Sequence, residues 1–138
     1  MTLPVNMPNV PWQFTEREAI SLQLVEHSAD AMVVINRQGE IALLNRQAEL
    51  TFGYTREEIM GKKLEMLIPE GNREVHISHR ETYVRDPHVR EMGIGKSLRG
   101  VCKTGEEFDV RIKIAPVIVP GAGIYYLAIV RSAKEEKI

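Results

Sequence analysis

The sequence predicts an α+β fold: a five-stranded antiparallel sheet with short helices on one face and an amphipathic helix at the N-terminal side. Two observations predict it. Apolar runs rich in valine, isoleucine and leucine form a pair near the start of the chain and a triplet near its end. Between the pair and the triplet stand segments with helix-capping residues and terminal glycines. Because these helices connect the two groups of strands, we expect them to cover the sheet and to close a cavity against it.

Composition and charge exclude several classes of function. The chain has 138 residues, enough for one domain with a sizeable core, and its 43% hydrophobic and 27% charged residues are typical of a globular protein. A net charge of −1 argues against a general electrostatic hold on nucleic acid or on an anionic membrane. No apolar run is long enough for a transmembrane helix. Cys102 is the single cysteine, which fits a reducing compartment, so we expect a cytoplasmic protein.

The chain divides into four segments. Residues 1–14 contain three prolines and predict a flexible leader. Residues 15–28 predict an amphipathic helix that begins at the N-cap Thr15 and carries Ile20 and Leu24. Residues 29–132 form the main domain, and residues 133–138 form a charged tail.

The main domain begins with a predicted hairpin and two short helices. "AMVVI" and "EIALLN" are strand-like runs separated by the polar turn "NRQG", which contains Gly39. "RQAELTFGY" predicts a short helix that ends at Gly53, because glycine takes the left-handed conformation at little cost. "TREEIMG" predicts another, which is capped by Thr55 and closed by Gly61.

A longer helix is predicted over residues 73–85, "REVHISHRETYVR", between Pro69 and the helix-breaking "DPH". A helical wheel groups one set of its side chains within an arc of roughly 120°, the width of a core-facing stripe. That set is Ile77, Val84, Tyr83, Arg80 and His76. His79 lies outside the arc, so the wheel predicts that only His76 points toward the cavity.

The last third of the chain predicts three strands. In "EFDVRIKIAPVIV", Phe108, Val110 and Ile112 share one face while the charged residues between them share the other, as in a half-exposed antiparallel strand. The run "GKSLRGVC" precedes it across the turn "KTGE", and "IYYLAIVRS" follows as the final strand.

Two long stretches of this chain resemble the two halves of a PAS domain. The first is "LVEHSADAMVVINRQGEIALLNRQAELTFGYTREEIMGKKLEMLIPE" and the second is "GKSLRGVCKTGEEFDVRIKIAPV", and together the resemblance covers about residues 22–131. It implies a five-stranded antiparallel sheet flanked by short helices and a sensory, non-enzymatic role. It also implies a surface ion pair between Lys103 and either Glu57 or Glu58.

The segment "IPEGNREVH" is similar to the haem-binding PAS domains of rhizobial oxygen-sensing histidine kinases, which carry their haem-ligating histidine on this helix. The resemblance implies His76 as the iron ligand, and His88 of "DPH" as a contact for a haem propionate. The wheel places Tyr83 on the same face, and Arg80 at the centre of it, where its guanidinium could pair with a propionate carboxylate. Lys96 follows "GIG" at the position where those sensors have an arginine that meets bound oxygen; a lysine there would donate one hydrogen bond.

Other interpretations stay open at this point. A zinc site at "HISH" is disfavoured, since no compact set of further ligands accompanies it. Flavin is a less favoured cofactor than haem, because the light-sensing subfamily needs a cysteine on the helical side and Cys102 falls on a strand. A small organic ligand, or none, is also compatible with the sequence. His76 would then be hydrogen-bonded to the backbone or to Tyr83, and Arg80 would extend to the edge of the cavity and pair with a glutamate.

The N-terminal helix predicts an interface. Ile20 and Leu24, together with Phe14 from the leader, have no obvious partner within one domain of this kind. They could cap the open face of the sheet or pack against the same helix of a second copy. The resemblance to PAS domains implies the second arrangement, a homodimer that pairs through these residues, and an output kinase or regulator domain that responds to the dimer packing. The alternative is a ligand-free module for protein interaction or dimerisation.

Overall fold

The computed structural model describes residues 15–92 and 98–132. Four α-helices are present in the described residues: α1 Glu16–Glu26, α2 Arg46–Phe52, α3 Arg56–Ile59 and α4 Arg73–Arg85. Two 3₁₀ turns, Leu64–Leu67 and Glu70–Asn72, connect α3 to α4. The strands are β1 Ala31–Ile35, β2 Ile41–Leu44, β3 Arg90–Met92, β4 Leu98–Val101, β5 Glu107–Val119 and β6 Gly123–Ser132. The predicted leader and tail, and with them Phe14, lie outside the described residues, as does Lys96.

The strands form one antiparallel sheet in the order β2-β1-β6-β5-β3, and β4 also pairs with β5. The sheet has six strands rather than the predicted five, because β3 and β4 lie along the same edge of β5. Met92 of β3 pairs with Ile112 of β5, and Leu98 of β4 pairs with Val110 of β5. The additional strand was missed because "REM" has no apolar alternation, and its pairing depends on the free edge that β5 offers.

The helix α3 begins at the predicted N-cap Thr55, but it ends at Ile59 with Met60 as its C-cap, one residue before the predicted Gly61. The Thr55 hydroxyl accepts a hydrogen bond from the Glu58 N–H, and the Glu58 carboxylate accepts one from the Thr55 N–H, so the two form a capping box. The helix α2 ends at Gly53, which is left-handed with φ 80°. These local hydrogen bonds fix the connections that carry the chain from β2 to the cavity wall.

The core lies between the sheet and the short helices. Ile41 and Ile59 are its largest fully buried aliphatic side chains, and the rings of Phe52 and Phe108 meet with their centroids 5.7 Å apart. Because this packing holds α2 and α3 against one end of the sheet, it leaves the wall beside α4 to form the cavity.

The helix α1 presents apolar side chains to the outside. Ala19 is buried, whereas Ile20 and Leu24 are 50% and 69% exposed. Arg56 of α3 binds the Glu26 carboxylate at 2.9 Å and so ties the end of α1 to the domain. The dimerisation that we expected from these residues stays a prediction.

Lys103 and Glu58 form the surface ion pair that the sequence resemblance implied, and of the two candidate glutamates the structure selects Glu58. The hydrogen bond from Lys103, and then the one from the Thr55 N–H, lower the pKa of Glu58 from 4.5 to about 2. A lowered pKa stabilises the fold at pH values above the ordinary one, and this contribution is lost as the pH falls through about 2.

We expect Lys103→Gln to raise the pKa of Glu58 toward its ordinary 4.5, because the variant removes the largest cause of the lowering. The measurement is an NMR titration of the Glu58 carboxyl carbon. Lys62→Gln, at an exposed lysine of the neighbouring turn, is the matched control and should leave the titration unchanged. An equal midpoint in both variants would contradict the pairing.

Candidate functional site

A cavity of about 350 Å³ lies between α4 and the inner face of the sheet. Its volume falls in the range of pockets that hold small molecules and cofactors. The sheet contributes an apolar wall that includes Val33, Val110, Ile112, Ile114, Ala128 and Val130. An apolar chamber of this size, with its polar groups on one helix, is suited to a flat or aliphatic ligand with a polar point of attachment.

The helix α4 supplies the polar side of the cavity. His76, Arg80 and Tyr83 all line it and are half-buried, which places these three predicted site residues together. His79 also lines the cavity, although its side chain is exposed. The prediction from the wheel that His79 lies apart from the cavity is therefore wrong, because the stripe that faces the cavity extends one position further round the helix.

Glu65 joins His76 and Arg80 into one network. Glu65 belongs to the Leu64–Leu67 turn and is 5% exposed. Its Oε2 lies 2.7 Å from His76 Nδ1 and 3.1 Å from Arg80 Nε, and its Oε1 accepts from Arg80 Nη2 at 3.1 Å. Because an ionised carboxylate only accepts hydrogen bonds, the contact places the proton of the imidazole on Nδ1. When the ring is neutral, Nε2 is then the nitrogen with a free lone pair.

The network controls the charge of Glu65. Burial by itself would raise the pKa of Glu65, but the hydrogen bonds from Arg80 and then from His76 outweigh it and hold the pKa below its ordinary value. Glu65 is therefore a carboxylate near neutral pH. Its pairing satisfies a charge that would otherwise be costly to bury.

Gly39 makes room for the Arg80 side chain. Gly39 lies in the β1–β2 turn with φ 81°, and a Cβ built on it would stand 2.3 Å from Arg80 Cζ. A side chain at this position would both strain the turn and displace the guanidinium. The glycine that shapes the hairpin thus also allows Arg80 to reach Glu65.

Tyr83 connects the cavity to the end of α4. Its hydroxyl donates to the His88 carbonyl, and its ring lies 5.8 Å from that of Tyr126 and 5.6 Å from that of His88. The His88 imidazole contacts the Asp86 carbonyl through Nδ1 at 2.9 Å and is exposed. The structure therefore places His88 behind Tyr83 and outside the set of described residues that line the cavity.

Arginines on the sheet edge also line the cavity. Arg90 is exposed, and Arg99 binds Asp109 at 2.9 Å and Glu107 at 3.7 Å. No periodic pattern in the sequence pointed to either arginine. Both follow from the pairing of β3 and β4 with β5, which brings the edge beside α4.

Three other features are relevant in the described ranges: groups of metal ligands, membrane-spanning helices and the single cysteine. Residues 15–92 and 98–132 hold no group of three or more His, Cys, Asp or Glu side chains arranged to bind a metal ion. Over the same ranges, no helix has both the length and the apolar character needed to cross a bilayer. Cys102 follows β4 and its Sγ lies 3.0 Å from the Thr104 hydroxyl, so it is placed in the turn before β5.

Comparison with known proteins gives a family and related sensors. The family model described as the PAS fold matches residues 22–132. The chain is 31% identical over 119 residues to the oxygen sensor protein DosP of Escherichia coli strain K12, covering 86% of this chain and 15% of DosP. It is 31% identical over 123 residues to the sensor protein FixL of Bradyrhizobium diazoefficiens strain USDA 110, covering 88% of this chain and 24% of FixL. The chain thus spans less than a quarter of the length of either relative.

The fold is also that of solved structures. The crystal structure of the PAS domain of a protein from Colwellia psychrerythraea superposes with a TM-score of 0.73 at 21% identity, covering 87% of this chain and 99% of that one. At this identity the similarity concerns the fold: an α+β domain with an antiparallel sheet and helices on one face.

Proposed function

Because the chain belongs to the PAS family, we propose that this sensory domain holds a haem in the cavity between α4 and the sheet, with His76 as the iron ligand. The observation that carries the proposal is the state of His76: its ring lines an apolar cavity, and its Nδ1 is engaged by Glu65. In the neutral tautomer with the proton on Nδ1, Nε2 is left as the donor, which is the form of imidazole that binds haem iron.

The sequence comparisons support haem over other ligands. The segment around His76 is similar to that of haem-binding PAS domains, and the chain is 31% identical to a protein named as an oxygen sensor. Haem iron, when bound, supplies a site for diatomic gases such as oxygen. Flavin is less favoured, since Cys102 stands in a turn of the sheet and outside the described lining of the cavity.

The residues present fit the group. The aliphatic wall of the sheet is suited to the face of a porphyrin, and His76 stands opposite it on α4. Arg80, which we predicted as a propionate contact, would have to leave Glu65 to serve that role. Arg90, which is exposed and lines the cavity, is a second guanidinium suited to a carboxylate. The roles of His88, Tyr83 and Lys96 stay predictions.

We expect the purified chain to take up hemin in a saturable manner and to show a Soret band that shifts on reduction. His76→Ala should abolish the shift and weaken hemin binding by at least about tenfold, because it removes the iron ligand. His79→Ala is the matched control, since His79 lines the same cavity but its side chain is exposed. Visible spectra recorded during hemin titration make the measurement.

Two outcomes would overturn the proposal. Hemin uptake no stronger than that of an unrelated protein of similar charge would exclude haem binding. A loss in His79→Ala rather than in His76→Ala would exclude His76 as the ligand.

The proposed signalling role is based on the longer sensor proteins that the chain matches in part. Because the chain corresponds to a small part of longer sensor proteins, we propose that it acts on an output domain such as a kinase or regulator, and that it is not itself an enzyme. For a ligand to act on such a domain, it must bind one arrangement of the protein more tightly than another. The exposed Ile20 and Leu24 of α1 are the surface through which we propose that a homodimer transmits this difference.

The second candidate function is a ligand-free interaction module. The same exposed side chains of α1 favour it, because a dimerisation surface needs no cofactor. A protein that dimerises in sedimentation equilibrium, loses the dimer in Ile20→Ser/Leu24→Ser, and takes up no hemin would establish this alternative.

A further inference from the structure

We propose that Glu65 is a positioning residue for the cofactor site: its carboxylate fixes the tautomer and the orientation of His76, so that Nε2 is presented to the iron. The inference rests on the proposed function as far as haem is concerned. The effect of Glu65 on the imidazole itself is a property of the protein without cofactor. The two parts can therefore be tested separately.

The geometry couples two different elements. Glu65 comes from the Leu64–Leu67 turn, whereas His76 comes from α4, so the 2.7 Å contact holds the ring against a part of the fold other than its own helix. Arg80 contacts both carboxylate oxygens and thereby stops the carboxylate from rotating away. Gly39 leaves the space that the guanidinium occupies behind it. The carboxylate is thus held in place at the Nδ1 side of the ring.

The chemistry follows from the shared proton. A histidine that binds a metal through one ring nitrogen commonly donates its other N–H to a carboxylate, which sets the tautomer and strengthens the imidazole as a ligand. A stronger donor favours the more positive, ferric state of the iron. Removing the carboxylate should therefore weaken hemin binding about 10- to 100-fold and raise the reduction potential of the bound iron.

The first measurement uses the protein without cofactor. Nitrogen-15 NMR of the His76 ring, at a pH where the ring is neutral, should show the proton on Nδ1 in the natural chain. Glu65→Gln should shift the population toward protonation at Nε2, because the amide oxygen must be shared between His76 and Arg80. Glu74→Gln, at an exposed glutamate on α4 that changes the net charge equally, should leave the tautomer unchanged.

The second measurement uses the hemin-loaded protein. Glu65→Gln should show the loss of affinity and the positive shift in potential, while Glu74→Gln should match the natural chain. Should Glu65→Gln fold poorly, Glu65→Met/Arg80→Met removes both buried charges together and should give the same change in tautomer.

Each result has a distinct meaning. A natural chain with the proton on Nε2, or a Glu65→Gln variant whose tautomer and potential both equal those of Glu74→Gln, would overturn the role of Glu65. Hemin binding that does not depend on His76 would overturn the proposed function, while an Nδ1 proton lost in Glu65→Gln would still establish that Glu65 sets the tautomer.

Discussion

Replacing Asn45 with alanine is expected to lower the free energy of unfolding by about 3 to 4 kcal/mol. Asn45 is 1% exposed and makes four hydrogen bonds to the backbone. Its Oδ1 accepts from the N–H groups of Met32 and Ala48 at 2.9 and 3.0 Å. Its Nδ2 donates to the carbonyls of Val25 and Asp30 at 2.8 and 3.0 Å. Alanine would leave all four backbone groups without this partner in a site that water reaches poorly.

The position of Asn45 explains why the effect should be large. One side chain joins the end of α1, the first strand and the start of α2, so its loss loosens three elements at once. Chemical denaturation monitored by circular dichroism makes the measurement. Asn72→Ala is the control, because Asn72 is exposed and its side chain makes no capping bond; it should cost less than about 0.5 kcal/mol. Equal midpoints for the two variants would refute this account.

Replacing Arg80 with methionine is expected to cost about 2 to 4 kcal/mol at neutral pH. The Arg80 side chain is 10% exposed and donates two hydrogen bonds to the buried Glu65 carboxylate. Methionine keeps the apolar stem but leaves the carboxylate with His76 as its remaining partner in the network. A buried charge that loses its main partner is strongly destabilising, whereas removing both charges costs less. Glu65→Met/Arg80→Met should therefore be more stable than Arg80→Met alone.

The pH dependence of this loss has a definite sign. In the natural chain the pKa of Glu65 is lowered, so its stabilisation is present above the ordinary value of 4.5 and is lost as the pH falls below it. In Arg80→Met the burial of Glu65 is no longer outweighed, so protonation of the carboxylate relieves the native state. The difference in unfolding free energy between the two proteins should consequently shrink as the pH falls toward about 4.

Denaturation at several pH values checks this expectation. Arg85→Met, at an exposed arginine one turn further along α4, is the matched control and should be close to neutral in effect. A loss in Arg80→Met that stays constant with pH would indicate packing rather than charge as its cause.

Much of the fold was predictable from short stretches of sequence. Thr55 and Gly53 mark helix ends because their hydrogen bonds and backbone conformation involve neighbours within four residues. The alternation around Val110 predicts a strand with one buried face for the same local reason. The sixth strand, β3, was missed because nothing within "REM" distinguishes it from a loop.

The candidate site was predictable in part. The helical wheel brought His76, Arg80 and Tyr83 to one face because their spacing is set by the helix itself. It did not predict the role of Glu65, which is the one charged residue in the apolar run "LEMLI". That exception to the apolar pattern was the available signal. A glutamate buried in an apolar run requires a cationic partner, and this requirement would have pointed to Arg80.

The sequence by itself determined the family, the order of most helices and strands, and the helix face that carries His76, since periodicity, capping and turn chemistry act over a few residues. Only the tertiary structure decided what His76 and Arg80 touch. Glu65 is 11 residues from His76 and 15 from Arg80 along the chain, so whether their atoms meet depends on how a 3₁₀ turn, a helix and the Gly39 hairpin pack together. A buried charge pairs with the group that packing brings within hydrogen-bonding distance, because an unpaired charge in a water-poor site strongly destabilises the fold.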